Sequence, residues 1–217
     1  MSVILAQDPS FSSLGFSLYD GDKTIFIDKC NSKFENKIGF EDVFCAGCNI
    51  FDTYTDKLIN DYGLNKKIKL DYIFSEVPPP VGIFSAGLYA LNSLLFFRLF
   101  ELFDSCKEIY ILPPSFLMTI HNKKNYKKSE STVLAKYLID DVLGGDFDVK
   151  FSGRLNADMA ESFLFLMRAF CKFDIKGVGS DISGALPGLY SDSEKLLIGR
   201  SVDGKKQKAK KTAVKKS

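Results

Sequence analysis

Ser2-Val3-Ile4-Leu5-Ala6-Gln7-Asp8-Pro9-Ser10 decides how the rest of the chain is read. An apolar run ends on a carboxylate, and Pro9, with no N–H to give to a ladder, stops the strand there. Small residues follow (Ser10, Ser12, Ser13) up to Gly15, and a second extended run begins at Phe16. Asp8 is therefore expected at a strand tip, on rigid backbone, facing open space. A carboxylate held that way suits a cation better than an apolar core.

Further along, residues 2–8, 14–20 and 23–29 read as three strands, the last two joined by the tight turn Gly21-Asp22. Residues 31–38 are polar and loop-like. Phe44, Ile50, Phe51, Tyr54, Leu58, Ile59 and Tyr62 recur at helical spacing, with Gly63 placed to end the helix. Residues 68–76 form a fourth strand, stopped at once by Pro78-Pro79-Pro80. A helix over 83–103 is apolar almost all round, so it is either central to the fold or pressed on a partner. Residues 107–112 are a fifth strand, cut by Pro113-Pro114. A basic loop, 121–128, leads to a helix over 129–143 with Ser129 or Ser131 as cap. The last helix, 156–173, has Asn156 as its N-cap. The order β-β-β-α-β-α-β-α-α predicts an α/β fold with a five-stranded mixed sheet. Three antiparallel strands come first, then two parallel ones, with helices on the faces. That is the order of the ribonuclease H-like fold.

The chain has 217 residues, enough for one domain with appendages. The expected division is a domain over 1–176, a Gly-rich, loosely packed extension over 177–204 and a Lys-rich disordered tail over 205–217. The tail holds seven Lys and no acid, so the remaining 204 residues sum to −5 (+2 minus +7). The body is not a uniformly basic nucleic-acid binder; the tail is expected to add non-specific, salt-sensitive affinity. No 18-residue apolar run and no signal-like start is visible. Five cysteines form no framework, which fits a reducing cytoplasm. Cys45 and Cys48 make a CxxC, but a zinc site wants a second pair or histidines, and His121 is the only histidine. They read as two small buried residues at a helix end.

Asp8 ends the first strand and Glu76 the fourth. If those strands are parallel neighbours, their tips meet at the edge where open α/β sheets place their sites. Asp158 and Glu161, spaced i, i+3, share one face at the start of the last helix, where the dipole favours acids. Four converging acids raise one another's pKa unless cations intervene. All-carboxylate ligation favours hard ions, Mg²⁺ or Mn²⁺. Two such ions about 4 Å apart can activate a water and stabilise the leaving oxygen of a phosphodiester. Lys123, Lys124, Lys127 and Lys128, with Asn122, Asn125 and Tyr126, form the best phosphate-binding cluster; a solvated loop is the alternative.

Three stretches, in order, resemble the RuvC-type Holliday junction resolvases and their phage relatives. Ile4–Ser10 with Leu14-Gly15-Phe16 resembles the opening strand. Ile73-Phe74-Ser75-Glu76 resembles the strand carrying the second acid, and Asn156–Ser162 the closing helix. Lys127-Lys128-Ser129-Glu130 is similar to the basic segment before the penultimate helix. The resemblance implies a homodimer that grips a four-way DNA junction and makes paired, symmetric nicks with 5′-phosphate and 3′-hydroxyl ends. It implies that Asp8, Glu76, Asp158 and Glu161 are catalytic and bind two Mg²⁺, for which Mn²⁺ substitutes. It implies that Lys128 or Lys127 contacts the scissile region and that helix 83–103 is the dimer element. The chain departs from the family in having Glu161 where many members have Asp, and in lacking an aromatic after Glu76. The alternatives are a less selective nuclease of branched DNA or RNA–DNA hybrids and a junction-binding protein without cleavage; retention of four acids argues against the latter. A sugar-kinase-like ATPase, which shares the opening strand, needs a second phosphate-binding half that this length does not hold.

Overall fold

The structure, a computed structural model, describes residues 2–10, 12–31, 40–64, 69–76, 85–103, 106–113, 115–123, 125–190 and 195–199. Its strands are β1 (Val3–Pro9), β2 (Ser13–Tyr19), β3 (Thr24–Asn31), β4 (Leu70–Glu76), β5 (Glu108–Leu112), β6 (Asp148–Phe151) and β7 (Lys195–Gly199). Its helices are α1 (Phe40–Asn60), α2 (Ser85–Leu102), α3 (Phe116–His121), α4 (Lys128–Tyr137), α5 (Ala157–Phe173) and α6 (Gly179–Ala185). The strands form one sheet in the order β6-β3-β2-β1-β4-β5-β7. β1–β2 and β2–β3 pair antiparallel, while β1–β4 and β4–β5 pair parallel. The five central strands have the ribonuclease H-like order and directions.

The expected sheet of five strands is thus a sheet of seven. β6 adds in parallel beside β3, and β7 adds antiparallel beside β5. β6 is only four residues long and mostly exposed, so it lacks the alternation that marks a strand in sequence. The stretch 177–204, expected to be loose, supplies β7, and its Val178, Ile182 and Leu189 are buried in the core. The tail 205–217 lies outside the described residues.

Strand alternation sorts the core into two layers. Ile4, Ala6, Tyr19, Ile27 and Phe74 face α5 with α3, α4 and α6. Val3, Leu5, Leu14, Phe16, Leu18 and Ile73 face α1 and α2. Asp8, in step with Ile4 and Ala6, belongs to the α5 side, as does Glu76, in step with Phe74. The turn between β2 and β3 is closed by Asp20, whose carboxylate accepts from the N–H groups of Asp22 (2.8 Å) and Thr24 (3.0 Å), with Gly21 at φ +86°.

The helix buried on every side is α5, not α2. Every residue from Met159 to Cys171 is buried, and each fully buried Phe or Leu there contributes roughly 1.5–3 kcal/mol. α2 instead leaves Tyr89, Leu94, Phe97 and Leu102 exposed, Phe97 by 66%. Asn156 caps α5 as expected, its Oδ1 accepting from Met159 N–H at 3.0 Å. Neither Ser129 nor Ser131 caps α4: the N-cap is Lys127, without a side-chain bond, and the helix passes into a wider π turn over Leu138–Val142. Cys45 is exposed and Cys48 half-buried, both free within α1 rather than buried at its end. The inward contact of that motif is made by Gly47, where a Cβ would come within 2.6 Å of Leu91 Cδ1. Among the described residues no helix is long and apolar enough to cross a membrane.

α5 reaches the sheet because Gly15 has no side chain. A Cβ there would lie 2.2 Å from the carbonyl oxygen of Asp158 and 3.0 Å from Met159 N. Gly15 is also the cross-strand partner of Asp8. Gly15→Ala must push the start of α5 off the strand, and overpacking of this kind costs about 1–3 kcal/mol. A lowered melting temperature together with loss of Mn²⁺ binding in calorimetry is the expected result for this variant.

Candidate active site

Asp8 stands at the end of β1, where Pro9 closes the run, and Glu76 at the end of the adjacent parallel strand β4. The register between them is fixed one residue earlier and on the other face. Gln7 pairs with Ser75 across the two strands. Gln7 is fully buried; its Nε2 donates to Ser75 Oγ (3.3 Å) and its Oε1 accepts from Tyr54 OH of α1 (2.8 Å). A buried amide satisfied in this way does not tolerate a slipped strand, since the slip would leave it unpaired. Alternation then turns the next residue of each strand, Asp8 and Glu76, toward α5.

The N-terminal part of α5 brings the other two acids, Asp158 in the first turn and Glu161 in the second. Asp8, Asp158 and Glu161 each offer a carboxylate oxygen, all within 4.8 Å of one another. Glu76, at the tip of the neighbouring parallel strand, lies close enough to Asp8 to share a hydrogen bond when one of the two carboxyl groups is protonated. Burial, then the charges of Glu76, Glu161 and Asp158, hold Asp8 well above the usual carboxylate range, with Lys128 opposing. Burial, then the charge of Glu161, push Glu76 up to about 8, against the pull of Lys128 and the bond from Asp8. The four acids singled out in the sequence therefore converge.

Lys128, the first residue of α4, lies over this cluster. Its Nζ is 3.2 Å from Asp158 Oδ1 and 3.7 Å from Glu161 Oε2. Burial alone would lower its pKa, but the charges of Glu161, Asp158 and Asp8 raise it. The ammonium partly neutralises a site with an excess of negative charge. The other expected phosphate-binding lysines stand apart: Lys123 pairs with Glu130 at 3.0 Å, and Lys127 is exposed at the N-cap of α4. Lys124 lies outside the described residues.

Sequence reading missed the hydroxyl groups around the acids. Ser13 Oγ donates to Asp158 Oδ2 at 2.8 Å. Tyr126 OH donates to Glu161 Oε1 at 3.1 Å, and Ser131 Oγ approaches the same oxygen at 3.4 Å. His121 Nε2 bonds Ser131 Oγ at 3.1 Å, and its ring stacks on Tyr126 with centroids 4.7 Å apart. Ser131 stands one helical turn from Lys127, a spacing that also suits a cap; only its burial, with 0% exposure, marks it as a contact to the acids.

The donor set fits hard divalent cations. It consists of carboxylate oxygens alone, without sulfur or imidazole, and the mutual repulsion of these acids is what a cation would relieve.

Two solved structures of Thermus thermophilus RuvC are similar to this chain. RuvC in complex with a Holliday junction substrate is 10% identical, with a TM-score of 0.49, covering 80% of this chain and 96% of that one. A second Thermus thermophilus RuvC structure is 11% identical, with a TM-score of 0.44, covering 80% and 97%. No protein-family model and no curated protein matches the chain. At these identities nothing about chemistry is carried over from the two structures, and the strand order alone defines the fold.

The raised pKa of Glu76 has a consequence for stability without metal. The folded chain holds the proton up to about pH 8, whereas the carboxyl's ordinary value is 4.5. The stabilisation is complete below 4.5 and is lost as pH rises through 8. Wild type should therefore lose stability relative to Glu76→Gln across that window in a chelator-treated series of melts. A difference that stays flat with pH would contradict the linkage.

Proposed function

We propose that the chain is a metal-dependent endonuclease that resolves four-way DNA junctions. The observation that carries this reading is the meeting of Asp8, Asp158 and Glu161 oxygens within 4.8 Å, where the start of α5 crosses the tip of β1, with Glu76 at the tip of the adjacent parallel strand. Asp8, Glu76, Asp158 and Glu161 would hold two Mg²⁺, or Mn²⁺. When bound, the ions activate water and stabilise the leaving oxygen. Water adds to phosphorus, the bond to the 3′ oxygen breaks, and the ends are a 5′-phosphate and a 3′-hydroxyl.

The chain's own part is to orient and to bind. The tip of β1 and the capped start of α5 hold the acids on rigid elements rather than loops. Lys128, already over the acids, is the cation best situated to engage the scissile phosphate, as a point charge. Lys123, Lys124 and Lys127 would grip flanking phosphates, and the lysine tail would add affinity without sequence preference. Domain 1–176 would carry the chemistry, with the segment beyond it completing the sheet edge. Five cysteines without a disulfide among those described suit a reducing, intracellular setting.

Symmetric nicking needs two sites facing one junction. On α2, Tyr89, Leu94 and Phe97 share the outward face, with Leu102 near its end. A run of exposed large apolar side chains on one helix supports a homodimer through that helix.

The direct test is Mg²⁺-dependent cleavage of a four-way junction, a Y-fork and plain duplex, with Asp8→Asn alongside. The expected outcome is paired nicks on the junction, little cutting of duplex, and at least a 100-fold loss (~10²) in the variant. Equal cutting of plain duplex would favour the less selective nuclease; binding without cleavage would favour the junction-recognition alternative. For the dimer, Phe97→Glu is expected to shift sedimentation to the monomer and uncouple the two nicks. A variant that remains dimeric would remove α2 from the interface.

A further inference from the structure

Each acid of α5 has one oxygen held by protein hydroxyls and the other turned to the open site. Asp158 gives Oδ2 to Ser13 and turns Oδ1 to Lys128 Nζ. Glu161 gives Oε1 to Tyr126 and Ser131 and turns Oε2 to the same ammonium. The Glu161 arrangement is the more heavily built. Its carboxylate is 3% exposed, Ser131 is fully buried, and His121 closes a ring by bonding Ser131 and stacking on Tyr126 with the planes 13° apart.

Glutamate has one more rotatable methylene than aspartate, and a carboxylate on a longer arm can swing or bind a cation through both oxygens. Two donors on Oε1 remove that freedom. We propose that Tyr126 and Ser131, the latter steadied by His121, are positioning residues that fix Glu161 so that Oε2 alone is presented to a divalent cation. The inference rests on the proposed metal-dependent reading, with Glu161 as a ligand. Partners of this kind behind a metal ligand typically change affinity 10- to 100-fold (~10–10²).

The test is a double-mutant cycle read by Mn²⁺ titration calorimetry on the full chain without DNA. The single variants are Tyr126→Phe, which keeps the ring stacked on His121 and removes only the hydroxyl, and Ser131→Ala. Each is combined with Glu161→Gln, and melting temperature is recorded for all. Each single variant is expected to weaken Mn²⁺ about 10-fold with the melting temperature nearly unchanged, and to add nothing in the Glu161→Gln background. If Tyr126→Phe fails to fold, the Ser131→Ala cycle decides alone. Wild-type Mn²⁺ affinity in both hydroxyl variants, or equal losses with and without Glu161→Gln, would overturn the inference while leaving the nuclease reading intact. Unchanged Mn²⁺ affinity in Glu161→Gln itself would instead overturn the ligand set, and the inference with it.

Discussion

Carboxylates crowded at the edge of a sheet repel one another, and water cannot fully screen them there. In this chain burial first, and then the neighbouring acids, hold the pKa of Asp8 and of Glu76 above the usual carboxylate range. A fold that gathers such groups must hold them by other means. The buried Gln7–Ser75–Tyr54 bonds keep β1 and β4 in register. The missing side chain at Gly15 lets α5 lie against β2. The apolar residues of α5, buried through Cys171, anchor the helix whose first two turns carry two of the acids. Neutral hydroxyls and one ammonium then take up part of the local charge. The register bonds, the glycine and the apolar helix do not favour the acids themselves; they restrain groups that would otherwise separate.

The same restraint is what hydrolysis of a phosphodiester requires. Cation sites work when ligands are held before the ion arrives, because the ordering is then already complete. The tips of β1 and β4 and the capped start of α5 belong to regular, hydrogen-bonded elements rather than loops. The lysines proposed to grip the substrate lie instead between His121 and Lys128, where Lys123, Lys127 and Lys128 are exposed and Tyr126 packs against the core. Chemistry on rigid elements and grip on a surface segment is a division that lets one sheet serve different nucleic-acid shapes.

Much of this was legible in the sequence. Strands ended by prolines after an acid, as at Asp8-Pro9, and helical periodicity with an Asn cap at 156 are local signals, and they located the five central strands, α1, α2 and α5. The four acids could be grouped because strand tips and helix starts are positions that topology brings together. What could not be read was set by tertiary context. β6 is short and mostly exposed, so it has little buried face to pattern, and β7 is an addition at the far edge of the sheet. α2 and α5 are both apolar, and only the packing shows which is enclosed. Ser13, Tyr126 and Ser131 are ordinary polar residues until Asp158 and Glu161 are found beside them, more than 25 residues away in every case. The register lock at Gln7 is hidden for the same reason.

The central claim is that the acids at the tips of β1 and β4 and the start of α5 form a cation site. Crystals soaked in MnCl₂ and measured at the manganese edge test it most directly. The account requires anomalous density among Asp8, Glu76, Asp158 and Glu161, with the Lys128 ammonium displaced from its present contacts. Manganese bound elsewhere, with Lys128 still 3.2 Å from Asp158 Oδ1, would contradict it.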